Sequence, residues 1–399
     1  MAQGAGHERF HPQFRVSTAH DLDSNDYVVL DYADLNNDGY PEMLYSDPYY
    51  QEVGGRDFDA GRVIIYDGKT GAQLFEMHGP GTGALLGVTA HFLDDITGDG
   101  IPDISLTDQY QFAYHLHLLS GADFSPLIDA SQHDRFYEVI SIGDRTGDGL
   151  SELAAVRYSN PFGATVEILD GSDLSMIERK STRDVSINLI RLGDLDGDGL
   201  EEVGTFRRLA VIDEDRSQVL RGANLRTMQR FAPEVRDFSL LANAGDVDAD
   251  GVNDVFASHT YWDHLGIENS GLVKVISGAT GDILALHYGQ VNDHLGGFMN
   301  TLGDLNGDGH SEYLLGSEIL AQGGSYGSHP QEVRIFSGAT HAPLDYLFGR
   351  DVHFGYGDKA IAIYPATSTQ TAFIGLANSF RRNFASPMVT VLHAFRFGS

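Results

Sequence analysis

One ten-residue pattern occurs six times in this 399-residue chain and limits what it can fold into. The copies are "ADLNNDGYPE" (33–42), "DDITGDGIPD" (94–103), "GDRTGDGLSE" (143–152), "GDLDGDGLEE" (193–202), "GDVDADGVND" (245–254) and "GDLNGDGHSE" (303–312). The shared pattern is D-x-[DNT]-x-D-G-x-x-[DE], with first aspartates at 34, 95, 144, 194, 246 and 304. The intervals are 61, 49, 50, 52 and 58 residues. Length alone favours two or three domains, but self-similarity at a period near 50 means one array of stacked repeats.

Each repeat has the same parts. An alternating apolar strand enters the acidic loop, as in "FMNTLGD" (298–304), and a second leaves it, as in "SEYLLGS" (311–317). A loop of variable length follows. A third strand then ends in a glycine turn, as in "RVIIYDGKTG" (62–71) and "VKVISGATG" (273–281), and a fourth follows, as in "DILALHYG" (282–289). Period-2 alternation, β-branched residues and Gly/Asp turns all specify strands. Four strands per roughly 50 residues is the unit of a β-propeller blade. The expectation is an all-β, single-domain, seven-bladed β-propeller spanning 1–399, with blades near 25–79, 84–130, 136–181, 184–230, 236–289, 296–349 and 355–399. The seventh repeat has "PATSTQ" where the acidic loop belongs, and the N-terminal segment 8–16 is expected to supply its fourth strand. Closing the ring in this way removes exposed sheet edges.

Oxygen donors at alternate positions one, three, five and nine suit a hard cation. Calcium takes six to eight oxygens, whereas magnesium keeps more of its water. The candidate ligands are Asp34, Asn36, Asp38 and Glu42; Asp95, Thr97, Asp99 and Asp103; Asp144, Thr146, Asp148 and Glu152; Asp194, Asp196, Asp198 and Glu202; Asp246, Asp248, Asp250 and Asp254; and Asp304, Asn306, Asp308 and Glu312. The carbonyl of position seven, such as Leu200, is a further candidate. An EF-hand is excluded, because it needs a glutamate at position twelve and flanking helices. Position twelve here is Tyr45, Leu106, Ala155, Thr205, Ala257 and Leu315.

Six such loops in register, "LGDLNGDGHSEYLLGS" above all, closely resemble the FG-GAP repeat family of integrin-α-like, calcium-binding β-propellers. The resemblance covers six of seven repeats. It implies about six structural Ca²⁺ ions on one face, with ligands bound on the opposite face through the loops between second and third strands and between blades. Because every donor set looks complete and the sites repeat, the ions are expected to be structural rather than catalytic.

Composition narrows the partners. A formal net charge of −31 argues against nucleic acid and anionic membrane. No apolar run approaches the length of a bilayer span, and the absence of cysteine excludes disulfides and thiolate chemistry. Dependence on millimolar calcium fits a secreted, extracellular or periplasmic protein whose signal peptide has been removed.

Function is sought in what is not repeated. The loops between second and third strands are long in blades five, six, seven and one: "SHTYWDHLGIENSG" (258–271), "SEILAQGGSYGSHPQ" (317–331), "ANSFRRNFASP" (377–387) and "SDPYYQEVGGRDFDAG" (46–61). Together they form one sector carrying Tyr49, Tyr50, Trp262, His264, Tyr326, Arg381 and Arg382. Aromatic rings interleaved with Arg and His suit a carbohydrate or a protein segment. The leading expectation is a binding or adhesion module with no catalytic residues. The alternative is a polysaccharide lyase acting on acidic glycans by β-elimination, with His133, Arg135 and Tyr137 as base, carboxylate neutraliser and acid. "GGSYG" (323–327) fits G-x-S-x-G but lies between strands, where a nucleophile elbow does not form. His115 and His117 read as polar positions of a third strand.

Overall fold

A computed structural model describes residues 10–20, 29–51, 58–127, 136–159, 163–181, 187–206, 217–235, 238, 240–317, 332–348, 360–364, 373–380 and 388–397. These fold into seven antiparallel sheets, five with four strands and two with three. The first sheet shows the plan: Val29–Ala33, Glu42–Asp47, Arg62–Tyr66 and Gln73–His78 pair in chain order. The third (136–181), fifth (240–288) and sixth (295–348) follow it. In the seventh, Ala360–Tyr364, Phe373–Phe380 and Met388–Phe397 are joined by Phe10–His20, which pairs with Met388–Phe397 from Phe10↔Phe397 to His20↔Met388.

The first strands of the sheets meet at the centre. Val29–Ala33 touches Thr89–Phe92 on one side and Ala360–Tyr364 on the other, and each following first strand touches the next in the same way. Burial follows this radial plan. Second strands are buried almost throughout, as in Glu42–Asp47 and Ile104–Asp108, whereas fourth strands such as Gln73–His78 and Ile283–Tyr288 are exposed or half-buried. Neighbouring sheets pack face to face. Leu44, Val63 and Ile65 of the first meet Phe92, Ile104 and Leu106 of the second. Phe256, Val273 and Val275 of the fifth meet Tyr313, Leu315 and Phe336 of the sixth. Each such side chain contributes roughly 1.5–3 kcal/mol through burial.

The expectation of four strands per repeat needs correction in the fourth sheet. Among the described residues, the second sheet stops at His115–Leu119 and the fourth at Gln218–Leu220. Beyond each, only one bridge forms, Leu119↔Pro126 and Leu220↔Thr227. In the second sheet Leu127 N–H still donates to Leu118 O at 2.8 Å, and residues 128–135 lie outside the described ones. After Thr227 the chain coils into the short helix Ala232–Val235 instead. No helix among the described residues is long and apolar enough to cross a membrane.

Candidate metal loops and ligand platform

All six acidic loops have one hydrogen-bond scheme, set by the residue at each position. The first aspartate accepts the N–H of the position-six glycine at 2.6–2.9 Å in every copy, from Gly39→Asp34 to Gly309→Asp304. Those glycines have φ of 81–92°, a region that side chains disfavour. The position-five aspartate accepts the N–H of position seven at 2.9–3.0 Å.

The ninth position does more than sequence suggests. Glu42, Asp103, Glu152, Glu202, Asp254 and Glu312 are at most 1% exposed. Each accepts the N–H of position two, among them Leu35 and Val247 at 2.8 Å and Leu195 at 2.5 Å, with Arg145 donating to Glu152 in the third loop. Asp103 and Asp254 also accept from Gly121 and Gly278, in the turns after the third strands. Burial pushes Glu42, Glu202 and Asp254 up to about 7, and neighbouring loop carboxylates add to the shift. A cation beside them would favour the ionised form.

The donors fit a cation best in the middle of the chain. Oxygens ligating one calcium ion at about 2.3–2.6 Å lie within about 5 Å of one another. Asp144, Asp148 and Glu152 meet that condition with atoms within 4.8 Å, as do Asp194, Asp196 and Glu202, and Asp246, Asp248 and Asp250. Glu202 Oε1 is buried without a hydrogen-bond partner. In the first and sixth loops, Asn36 and Asn306 instead donate to Glu42 and Glu312 at 3.1 and 2.9 Å.

At the opposite ends of the strands, two of the long loops are copies of one framework. In the first sheet, Gly61 bridges Leu86, Gly61 N–H donates to Tyr50 O, and Ser46 Oγ donates to Gly87 O. In the fifth, Gly271 bridges Leu295, Gly271 N–H donates to Trp262 O, and Ser258 Oγ donates to Gly296 O. Tyr50 and Trp262 therefore hold equivalent places. Tyr50 is 8% exposed, with the Arg62 guanidinium 3.7 Å from its ring centre and the His78 ring at 5.4 Å. The fifth sheet has Leu272 in place of Arg62 and Tyr288 in place of His78. Tyr288 is stacked on His264 at 3.7 Å. Among the described rings Trp262 meets His259 alone, edge-on, and stays 41% exposed, beside exposed Tyr261 and Leu265.

The expected ligand residues thus divide. Trp262 is open, His264 is half-buried against Tyr288, and Tyr49 is half-buried. Tyr50 is corrected to a packing residue, because Arg62 covers it. Tyr326, Arg381 and Arg382 lie outside the described residues, as do "GGSYG" and the lyase candidates His133 and Arg135. Tyr137 packs with Tyr114 and Tyr158, all three ring centres 5.1–5.6 Å apart. His115 and His117 are more than strand polarity. Both bond the buried Asp108, at 2.7 and 2.8 Å. Their i, i+2 spacing beside an aspartate at a strand end was the available signal.

No protein-family model matches the chain. The chain is 32% identical to integrin alpha-3 of Mus musculus over 97 residues, 21% of this chain. That segment spans 8% of the integrin's length. Among solved structures, BBS1N in complex with ARL6DN is similar with a TM-score of 0.58 at 10% identity, covering 98% of this chain and 97% of that one. The Dos1 propeller matches with a TM-score of 0.49 at 10% identity over 98% and 95%. The BBS1N likeness at this identity concerns the fold alone.

Proposed function

We propose that this chain is a seven-bladed, calcium-stabilised propeller of the FG-GAP type that acts as an extracellular binding or adhesion module. Its ligand, a carbohydrate or a protein segment, meets the face opposite the acidic loops. The observation that carries the binding reading is the contrast between Tyr50 and Trp262. One framework buries its aromatic ring in the first sheet and leaves it open in the fifth. A large ring held open on hydrogen-bonded backbone is what a recognition surface needs. Glycan and protein arrays probed with the native protein and with Trp262→Ala test this. Signals that depend on Trp262 support it, and signals that are absent or unchanged in the variant overturn it.

The calcium reading draws on the all-oxygen donors, the three clusters within 4.8 Å and the orphaned Glu202 Oε1. Extracellular modules with affinities near 10⁻⁴–10⁻³ M fill from ambient calcium, which favours a secreted or periplasmic location. Bound calcium would supply positive charge beyond that of Lys69 and Arg221, which pair with Asp38 and Asp196.

A second reading, glycan cleavage by β-elimination, draws on Asp108. A buried carboxylate that orients two imidazoles on the ligand face is an arrangement suited to proton abstraction. Incubation with acidic polysaccharides, followed near 235 nm for unsaturated product, tests it. No rise with any of them overturns it.

A further inference from the structure

The fourth acidic loop carries a guanidinium against a half-buried ligand position, whereas the first has only the exposed Lys69, 3.8 Å from Asp38. The residue that precedes the turn glycine after each third strand is Asp67, Ser120, Asp170, Arg221, Ser277 and Ser337 in the six repeats. Only the fourth is basic. Its backbone is fixed within the turn, because Arg221 N–H donates to Arg226 O at 3.0 Å and Arg221 O accepts from Leu225 N–H at 2.8 Å. The turn is pressed against the acidic loop. A Cβ on Gly222 would lie 2.4 Å from Glu201 O. From this position the Arg221 guanidinium makes an ion pair with Asp196, whose side chain is 9% exposed.

A second guanidinium lies next to it. Arg230 Nη2 donates to Leu195 O at 2.7 Å and is attracted electrostatically by Glu202. Arg191, the third nearby, is engaged by Glu201 and Asp94. The fifth loop is the natural comparison, with four carboxylates at the same positions. There Ser277 replaces Arg221, and its hydroxyl accepts from Thr280 N–H. The imidazole of His310 lies beside this loop and bonds Val247 O at 2.7 Å. Burial, together with Asp250 and Asp246, holds the Asp248 carboxyl above its ordinary range.

We propose that Arg221 is the resident counter-cation of the fourth loop, holding it in shape without metal and weakening its hold on calcium. The inference rests on the calcium reading above. Carboxylate count alone ranks the fourth and fifth loops as equal and tightest, since each has four. A guanidinium on Asp196 reverses that for the fourth. A dication must either displace it or bind against its like charge. Among the described residues the fifth loop has no such substitute, and it depends on the ion.

The test is Arg221→Gln, with Ser277→Arg as its converse. Thermal unfolding is measured in EGTA and in millimolar calcium, and calcium binding by calorimetry and native mass spectrometry. Arg221→Gln is expected to melt below the native protein in EGTA and at or above it in calcium. Its weakest calcium step should tighten roughly tenfold. Ser277→Arg is expected to loosen one step. The proposal is overturned if Arg221→Gln shifts melting equally in both media and leaves the calcium isotherm unchanged. If the native protein binds calcium and only that result appears, this inference fails alone. If neither native protein nor variants bind calcium, the calcium reading fails and this inference with it.

Discussion

Trp262 stands in the fifth sheet where Tyr50 stands in the first, each accepting from the N–H of the glycine that closes its loop. What differs is the cover. Arg62 lies on the Tyr50 ring, while Leu272 leaves Trp262 open. Replacement should therefore have opposite consequences. Tyr50→Ala removes a buried ring and its cation contact, and is expected to cost about 3 kcal/mol in a denaturant titration. Trp262→Ala is expected to stay within about 1 kcal/mol of the native protein. Trp262 is the single tryptophan of the chain, so acrylamide quenching of intrinsic fluorescence reads its exposure directly. Efficient quenching that a bound ligand suppresses is the expected pattern.

The ninth-position acids separate structure from ligation. Asp254 is fully buried and takes N–H groups from both Val247 and Gly278, tying the acidic loop to the following hairpin. Asp250 is exposed and bonds only within its own loop. Asp254→Ala strands two buried donors and should cost about 3 kcal/mol or more, with calcium present or chelated. Asp250→Asn should matter mainly in calcium. Unfolding curves in EGTA and in calcium distinguish the two. Chelation itself is expected to lower the native melting temperature, because an ion bound only by the folded state stabilises it.

Much of this was readable in advance, for definite reasons. Strand order and loop positions follow from an alternation of period two and from six Asp/Gly loops, both local signals. The inward turn of Glu42 or Asp254 was not readable. A ninth-position carboxylate looks like one more ligand until its backbone partners across the hairpin are seen. Arg221 carries no signal in the sequence either, because its relation to Asp196 spans 25 positions and depends on how two turns pack. The fate of Tyr50 was decided by Arg62, a residue twelve places on that a sequence reading assigns to a strand. Among the described residues, the fourth sheet gives up its fourth strand to a helical turn that the repeat pattern does not announce.

The hairpin turns make a sharper prediction. A Cβ on Gly278 would lie 1.8 Å from Asn253 O, and one on Gly121 would lie 1.8 Å from Pro102 O. In both cases the neighbour is backbone of an acidic loop, which cannot swing aside as a side chain can. Gly278→Ala must separate the turn from the loop and break the Gly278 N–H bond to Asp254. A loss of about 3 kcal/mol is expected. Gly266→Ala is the control, since nothing lies within 4 Å of its Cβ position. There only the left-handed backbone, at φ of 84°, opposes the change, and a loss near 1 kcal/mol is expected.

His287 gives the fold a pH dependence whose direction is fixed. Its Nε2 lies 2.8 Å from the hydroxyl of the fully buried Tyr313, and its ring packs 4.4 Å from Phe336. Burial, with further repulsion from His341 and Arg334, holds its pKa down at about 4, against an ordinary 6.5. Between those values the unfolded chain takes up a proton that the folded chain refuses. Stability from this group is therefore complete above pH 6.5 and declines as pH falls toward 4, with no further loss below that. The decline amounts to about 3 kcal/mol at most. His287→Gln keeps a polar group opposite Tyr313 without a titrating ring. The difference in unfolding free energy between native protein and variant, followed from pH 7.5 to about 4, should shrink or reverse across that window. A difference that stays constant with pH would show that the imidazole is not held neutral in the fold.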